Sequence, residues 1–115
     1  MKDNSEIIDV IIRYCEAIDE DLTLCNDIED FLNSDCIQRS CSFSIIQIGE
    51  FVKRLSDEFT SSHNEINWSE IARYRDFITH NYVRIDKYAL WNTITEDIPI
   101  LERYLKSLKN DMEKD

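Results

Sequence analysis

Apolar residues recur at helical spacing along almost the whole chain, and only one glycine (Gly49) and one proline (Pro99) interrupt them. β-Hairpins and sandwiches use glycine at their turns, so this scarcity argues against an all-β architecture. With 115 residues, 43% of them hydrophobic, the chain has enough material for one core. The pattern therefore predicts a single all-α domain over residues 1–115, an up-and-down bundle of four to five helices.

Three segments in the first half of the chain are predicted to be helical. The first runs from about residue 5 to residue 22. A short second helix runs from residue 26 to 32, because Asn26 and Glu29 have the spacing of a capping box. A long third helix is capped by Ser34 or Asp35, and its apolar stripe continues to Phe59.

The second half begins with a polar loop over residues 60–65, in which His63 is expected to be exposed to solvent. Asn67 and Glu70 form another capping-box spacing, which predicts a helix to about residue 82. Asp86 then caps a last helix that runs to about residue 109. Pro99 should kink this helix without ending it, because the apolar period continues across the proline.

Four cysteines (Cys15, Cys25, Cys36 and Cys41) show no Cys-x2-Cys pair, and neither histidine is near them in sequence. Zinc binding is therefore not expected, and the cysteines are interpreted as reduced, small core residues. The first residues lack the pattern of a signal peptide, and no apolar run approaches the roughly 18 residues of a membrane helix. We expect a cytoplasmic protein without a membrane segment.

The segment from residue 73 to 82 contains the residues with the most distinctive chemistry. Arg75, His80 and Tyr82 have the spacing Arg-x4-His-x-Tyr, and Asp76 follows the arginine. An arginine supplies a permanent positive charge for a phosphorane, and a histidine transfers protons near neutral pH. Asp76 and His80, four residues apart, share a helix face, so Asp76 could hold the imidazole in one tautomer.

Helix geometry limits how this pair could act. Arg75 and His80 lie about 140° apart around an ideal helix, so one helix does not aim both at the same atom. Either the helix ends at His80 or a second copy of the motif completes the site across a two-fold axis. Two copies would supply the base and the acid that metal-free RNA cleavage needs. A plain alternative is a solvated helix face with i,i+4 pairs.

Charge is unevenly distributed along the chain, which carries a net charge of −11. Residues 1–65 contain 15 acids and 5 bases, whereas residues 66–115 contain 9 acids and 8 bases. General nucleic-acid binders are basic overall, so this chain should bind polynucleotides weakly unless the contact is local. The acidity is equally suited to a protein partner with a basic face.

The segment Arg-Asp-Phe-Ile-Thr-His-Asn-Tyr resembles the signature of HEPN-superfamily proteins, specifically the HepT-like toxins of MntA–HepT toxin–antitoxin systems. Three further segments are similar to that family in the same order along the chain. They are the Ile-Gly-Glu region over residues 45–52, the Asn-Trp turn over residues 66–71, and the Trp and Asp-x-Pro region over residues 90–99.

The resemblance implies a helical homodimer whose two motifs form a cleft, and a metal-independent ribonuclease that needs no cofactor, with tRNA among the possible substrates. It implies that Arg75 stabilises the phosphorane and that His80 is the acid and base. It further implies that an MntA-like nucleotidyltransferase antitoxin silences the toxin by transferring AMP to Tyr82. Modification would place bulk and negative charge at the cleft.

One position departs from the family pattern, because the residue after the motif arginine is often Asn and is Asp76 here. The acid could tune His80 or repel an RNA phosphate. The competing interpretation is a non-catalytic helical module that uses the same cleft to bind a nucleotide or a protein partner.

Overall fold

Four long helices pack side by side and form the body of the molecule. The computed structural model describes residues 3–113, and within that range it contains no β-strand. The α-helices are α1 (Asn4–Leu22), α2 (Ile28–Leu32), α3 (Asp35–Val52), α4 (Asp57–Ser62), α5 (Trp68–Asn81), α6 (Lys87–Asn92) and α7 (Ile98–Glu113). Helix α3 packs against α1 and α5, and α1 also packs against α7. The predicted all-α bundle is confirmed.

Side-chain caps define where most of these helices begin. Ser34, Asn67 and Asp86 cap α3, α5 and α6, as the sequence predicts, and each accepts a hydrogen bond from a backbone N–H of the first turn. The cap of α2 was predicted wrongly. Asp27, not Asn26, accepts from the Asp30 N–H, and the Asp30 carboxylate accepts from the Asn26 N–H in return.

The long third helix ends earlier than its apolar pattern suggests. Helix α3 stops at Val52, and Ser56 caps the separate helix α4 by accepting from the Phe59 N–H at 3.1 Å. The Asn4 side chain fixes this break, because its amide donates to Ser56 Oγ and its carbonyl accepts from the Ser56 N–H. Since α4 continues through Ser62, the loop predicted from residue 60 begins only after that residue.

The proline region keeps one continuous helical run, as predicted, with a local change of pitch. Residues Thr93–Asp97 form a π-helical turn between α6 and α7, directly before Pro99. The hydroxyl of Thr95 donates to the Trp91 carbonyl at 2.7 Å within this turn. A wider turn relieves the crowding that proline causes in the preceding turn of an α-helix.

One apolar cluster connects all four long helices. Its fully buried members include Ile8 and Ile11 of α1, Ile48 of α3, Ile78 of α5 and Leu105 of α7. Two cysteines, Cys15 and Cys41, are buried here as predicted, and Cys25 is half-buried. The prediction is wrong for Cys36, which is exposed. Burial raises the pKa of the Cys15 thiol to about 12, so this thiol stays protonated at neutral pH.

The aromatic residues around α4 show that one prediction for this region was wrong. His63 is half-buried rather than exposed, because its ring stacks on Phe59 with 4.3 Å between ring centroids. Trp68 is buried, and its indole N–H donates to the His63 carbonyl at 2.8 Å. The second tryptophan, Trp91, packs on Phe31.

None of the helices between residues 3 and 113 is long and apolar enough to cross a membrane. In the same range, no group of three His, Cys, Asp or Glu side chains is arranged to hold a metal ion.

Candidate active site

Arg75, Asp76 and His80 lie on α5, and Arg75 lies where this helix packs tightly against α3. Gly49 of α3 faces Arg75, and a Cβ atom at position 49 would lie 2.7 Å from Arg75 Cγ. The missing side chain therefore makes room for the methylene groups of the arginine. Arg75 is thus the side chain that uses the space left by Gly49.

Two carboxylates hold the Arg75 guanidinium. Its Nη2 lies 2.6 Å from Glu50 Oε2, and its Nη1 lies 3.0 Å from Asp76 Oδ1. The Arg75 side chain is 19% exposed, and its Nε–H has no hydrogen-bond partner among the described residues. Hydrogen bonding to Asp76, supported by Glu50, raises the pKa of Arg75. Arg75 is therefore a fixed cation that still has free N–H groups.

Asp76 bonds to two cations rather than to His80. Its Oδ1 atom accepts from Lys53 Nζ at 2.7 Å as well as from Arg75 Nη1. These two hydrogen bonds, first that of Lys53 and then that of Arg75, lower the pKa of the Asp76 carboxyl. Within residues 3–113 the structure contains no hydrogen bond between Asp76 and His80, so the helix-face pairing considered from the sequence is not formed.

His80 lies in the last turn of α5 and is exposed. In the described part of the chain its imidazole forms no hydrogen bond or ion pair, whereas Arg75 is turned towards α3. The structure thus keeps the two motif side chains on different faces of one helix, as the helical arithmetic predicts.

Tyr82 begins a 3-10 turn that follows α5 directly, over residues Tyr82–Arg84. Its side chain is exposed, and the neighbouring Val83 is almost fully exposed. Partial burial raises the pKa of the Tyr82 hydroxyl, and the carboxylate of Asp35 raises it further, while Arg39 acts in the opposite direction. The hydroxyl is therefore protonated at neutral pH.

An open groove of about 750 Å³ lies beside the motif helix, between α3, α5 and α7. Its floor is largely apolar and includes Ile45, Ile71, Tyr74 and Leu101. Phe77 of α5 and Ile100 of α7 line it and are about half exposed. Phe77 precedes His80 by three residues, so the groove borders the exposed face of α5 that carries the histidine.

Sequence reasoning found Arg75, Asp76, His80 and Tyr82 but missed Glu50 and Lys53. These two residues of the α3 segment contact the motif only through the fold, at separations of 25 and 23 residues. The sequence did contain an indication that Glu50 has a partner, because it is the only charged residue between Arg39 and Lys53. A lone charge in an apolar helix often has a partner on a neighbouring helix.

Comparison with known proteins finds that the sequence is similar to one family. The family model described as "Ribonuclease HepT-like" matches residues 6–108. A protein named "Probable ribonuclease HepT" from Thermococcus cleftensis is 35% identical over 105 residues, covering 84% of this chain and 93% of its own length. "Putative RNase TTE0752" from Caldanaerobacter subterraneus subsp. tengcongensis is 33% identical over 108 residues, covering 94% of this chain and 96% of its own length.

A more distant relative from Methanocaldococcus jannaschii, "Putative RNase MJ0125", is 27% identical over 88 residues, which are 76% of each chain. No solved structure matches the chain at a significant level.

Proposed function

Because the chain belongs to the ribonuclease HepT-like family, we propose that it is the toxin of a toxin–antitoxin pair and cleaves RNA in the cytoplasm without a metal ion. The observation that carries this proposal is the arrangement on α5. A fixed guanidinium, Arg75, and an exposed imidazole, His80, occur on one helix at the spacing that the family uses. Substrates of this class include tRNA.

The proposed reaction is a transesterification at one phosphodiester. One imidazole takes the proton from the ribose 2′-OH, and the 2′-oxygen attacks phosphorus. A second imidazole donates a proton to the departing 5′-oxygen, and Arg75 stabilises the charge that builds on the phosphorane. The P–O5′ bond breaks, and the products are a 2′,3′-cyclic phosphate and a 5′-hydroxyl.

Two imidazoles require two chains, since the motif supplies one histidine. We propose a homodimer in which the two α5 helices face each other and each chain contributes Arg75 and His80. The half-exposed side chains of Phe77 and Ile100 support this choice of face, because they border one apolar groove and a contiguous apolar patch is typical of an interface. The proposed cleft then lies between the two copies, next to His80.

The activity is tested with the purified protein and a mixture of total tRNA and a structured messenger fragment. We expect cleavage in the presence of EDTA, and we expect Arg75→Ala and His80→Ala each to lower the rate by at least about 100-fold. The control is His63→Ala, which removes the chain's other histidine. Equal rates for His80→Ala and His63→Ala would remove His80 from the proposed site. No cleavage by the unmodified protein would favour a non-catalytic binding module.

Control of the toxin is proposed to act through Tyr82. An MntA-like nucleotidyltransferase would join the Tyr82 oxygen to the α-phosphate of ATP, with release of pyrophosphate and of the phenolic proton. The exposure of Tyr82 at the end of α5 supports this step, because the transferase must reach the hydroxyl. The added phosphate would repel RNA from the nearby cleft.

Intact mass spectrometry of the protein, incubated with its cognate transferase and ATP, tests this regulation. We expect the mass to rise by one or more AMP units, and we expect Tyr82→Phe to abolish the gain. Tyr88→Phe is the matched control, because Tyr88 is also exposed and lies only six residues away. A gain that persists in Tyr82→Phe would remove Tyr82 from the proposal.

A further inference from the structure

We propose that Lys53 and Arg75 together form a binding site for one phosphate group of the RNA backbone, and that the Asp76 carboxylate occupies this site in the free protein. The inference rests on the proposed function for the identity of the ligand, RNA. The position of the site depends only on the contacts between the α3 segment and α5. Lys53 is not part of the sequence motif.

The two cationic side chains donate to the same oxygen atom. Asp76 Oδ1 accepts from Lys53 Nζ at 2.7 Å and from Arg75 Nη1 at 3.0 Å. Two cationic donors from two helices that meet at a single carboxylate oxygen are the arrangement that binds a non-bridging phosphate oxygen. A carboxylate oxygen and a phosphate oxygen have similar charge and accept hydrogen bonds of similar length, so Asp76 can act as a stand-in for the ligand.

The members of the cluster differ in how firmly they are held. Arg75 is anchored by Glu50 at 2.6 Å and by the space above Gly49, and 19% of its side chain is exposed. The side chains of Lys53 and Asp76 are 38% and 45% exposed. The carboxylate can therefore rotate into solvent while Arg75 stays in place, and a phosphate can enter between Arg75 and Lys53.

An internal carboxylate at this position favours large ligands over small ones. A free anion gains two hydrogen bonds and must displace an ion pair that is already formed, so it binds weakly. An RNA strand makes additional contacts in the cleft and can offset that displacement. The site would thus select against free anions, although its two cations attract them.

The test compares phosphate binding by the full chain and three variants in an NMR titration at constant ionic strength. Asp76→Asn keeps the shape of the side chain and removes its charge, Lys53→Gln removes the lysine charge, and the third variant combines both. Glu29→Gln and Lys87→Gln are the charge-matched controls, because both side chains are exposed and form no ion pair within the described residues. The probes are inorganic phosphate and a short oligonucleotide with 2′-deoxyribose, which lacks the attacking hydroxyl.

We expect Asp76→Asn to bind both probes about fivefold more tightly than the unmodified chain, a size typical of an exposed charge contact. The Lys53→Gln change should remove that gain in the combined variant, and the controls should bind as the unmodified chain does. Unchanged affinity in Asp76→Asn would overturn the inference. A gain for inorganic phosphate without one for the oligonucleotide would overturn the assignment to the RNA backbone.

Failure of the proposed function is distinguishable from failure of this inference. The titration uses probes that cannot be cleaved, so it does not depend on ribonuclease activity. A protein that lacks ribonuclease activity but binds the oligonucleotide more tightly after Asp76→Asn would refute the enzyme and support the phosphate site.

Discussion

The position of Arg75 depends on the absence of a side chain at Gly49. Gly49 lies inside α3, where glycine costs about 1 kcal/mol relative to alanine. The structure accounts for that cost, because the side-chain stem of Arg75 occupies the volume where a Cβ would be, and the Ile71 carbonyl oxygen lies 3.4 Å from that position. The same contact brings the guanidinium within 2.6 Å of Glu50 Oε2.

Replacing Gly49 with alanine should therefore displace Arg75 despite the higher helix propensity of alanine. We expect Gly49→Ala to lower the free energy of unfolding by about 1–3 kcal/mol, as overpacking of a close contact does. Urea denaturation measures the change, and the ribonuclease rate should fall with it. Ser40→Ala, on the exposed side of α3, is the control and should change stability by less than about 0.5 kcal/mol. A more stable Gly49→Ala protein would show that the contact is not tight.

At the same scale, the sequence predicted motif residues but not their partners. Arg75, His80 and Tyr82 stand out through a fixed local spacing, which sequence alone displays. The contacts of Glu50 and Lys53 with the motif depend on how α3 crosses α5, and no local pattern contains that angle. The spacing of residues along α5 suggested His80 as the partner of Asp76. Its partner across the fold is instead Lys53.

Among the elements, α3 shows why helix ends are harder to predict than helix faces. Leu55 and Phe59 continue the apolar period of α3 and both pack against the core, although Leu55 lies after the end of the helix. Periodicity alone therefore extends the helix too far. Ser56 was the available counter-signal, but its contact with Asn4 of α1 spans 52 residues and becomes visible only in the fold.

Two neighbouring acids, Asp19 of α1 and Glu102 of α7, lie where these helices pack together. Burial, together with the neighbouring Glu102, raises the pKa of the Asp19 carboxyl to about 6. Burial opposes ionisation of Glu102, but hydrogen bonds from Lys106 and Asp19 lower its pKa. Asp19 thus holds a proton in the folded protein at a pH where Glu102 is already ionised and paired with Lys106 at 2.7 Å.

This arrangement gives a pH dependence with a definite sign. Between pH 3.8, the ordinary pKa of an aspartate carboxyl, and about pH 6, the folded protein binds a proton at Asp19 more readily than the unfolded chain does, so stability falls as the pH rises through this window. We expect Asp19→Asn to lack that decline and to gain stability relative to the unmodified protein between pH 4 and pH 7. Urea denaturation at several pH values measures the difference.

Glu20→Gln is the control for this pH series, because Glu20 is exposed at the next position. Its stability should follow the same pH profile as the unmodified protein. Parallel profiles for Asp19→Asn and the unmodified protein would contradict the coupling between α1 and α7.

The net charge of the whole molecule opposes the proposed activity on RNA. A chain with a net charge of −11 repels a polyanion at long range. The motif lies in the half from residue 66 onwards, where acids outnumber bases by one. The proposed binding of RNA would therefore depend on a few cations at short range, of which Arg75 and Lys53 are already paired by carboxylates.

The proposed dimer is the second property of the whole molecule that can be measured. Phe77→Asp places a charge on the exposed face of α5, and we expect it to weaken self-association by at least about tenfold, as loss of a central apolar contact does. Sedimentation equilibrium measures the association, and the ribonuclease rate should fall in parallel. Leu24→Asp is the control, because Leu24 is more exposed but lies between α1 and α2. Equal association of both variants would place the interface elsewhere.

The chemical ends of the cleaved RNA test the central claim most directly. Mass spectrometry of a defined RNA substrate after cleavage in EDTA should find 2′,3′-cyclic phosphate and 5′-hydroxyl ends. The same products should be absent with His80→Ala and present with His63→Ala. Products with 3′-hydroxyl and 5′-phosphate ends, or cleavage that His80→Ala leaves unchanged, would contradict an attack by the 2′-hydroxyl with His80 as acid and base.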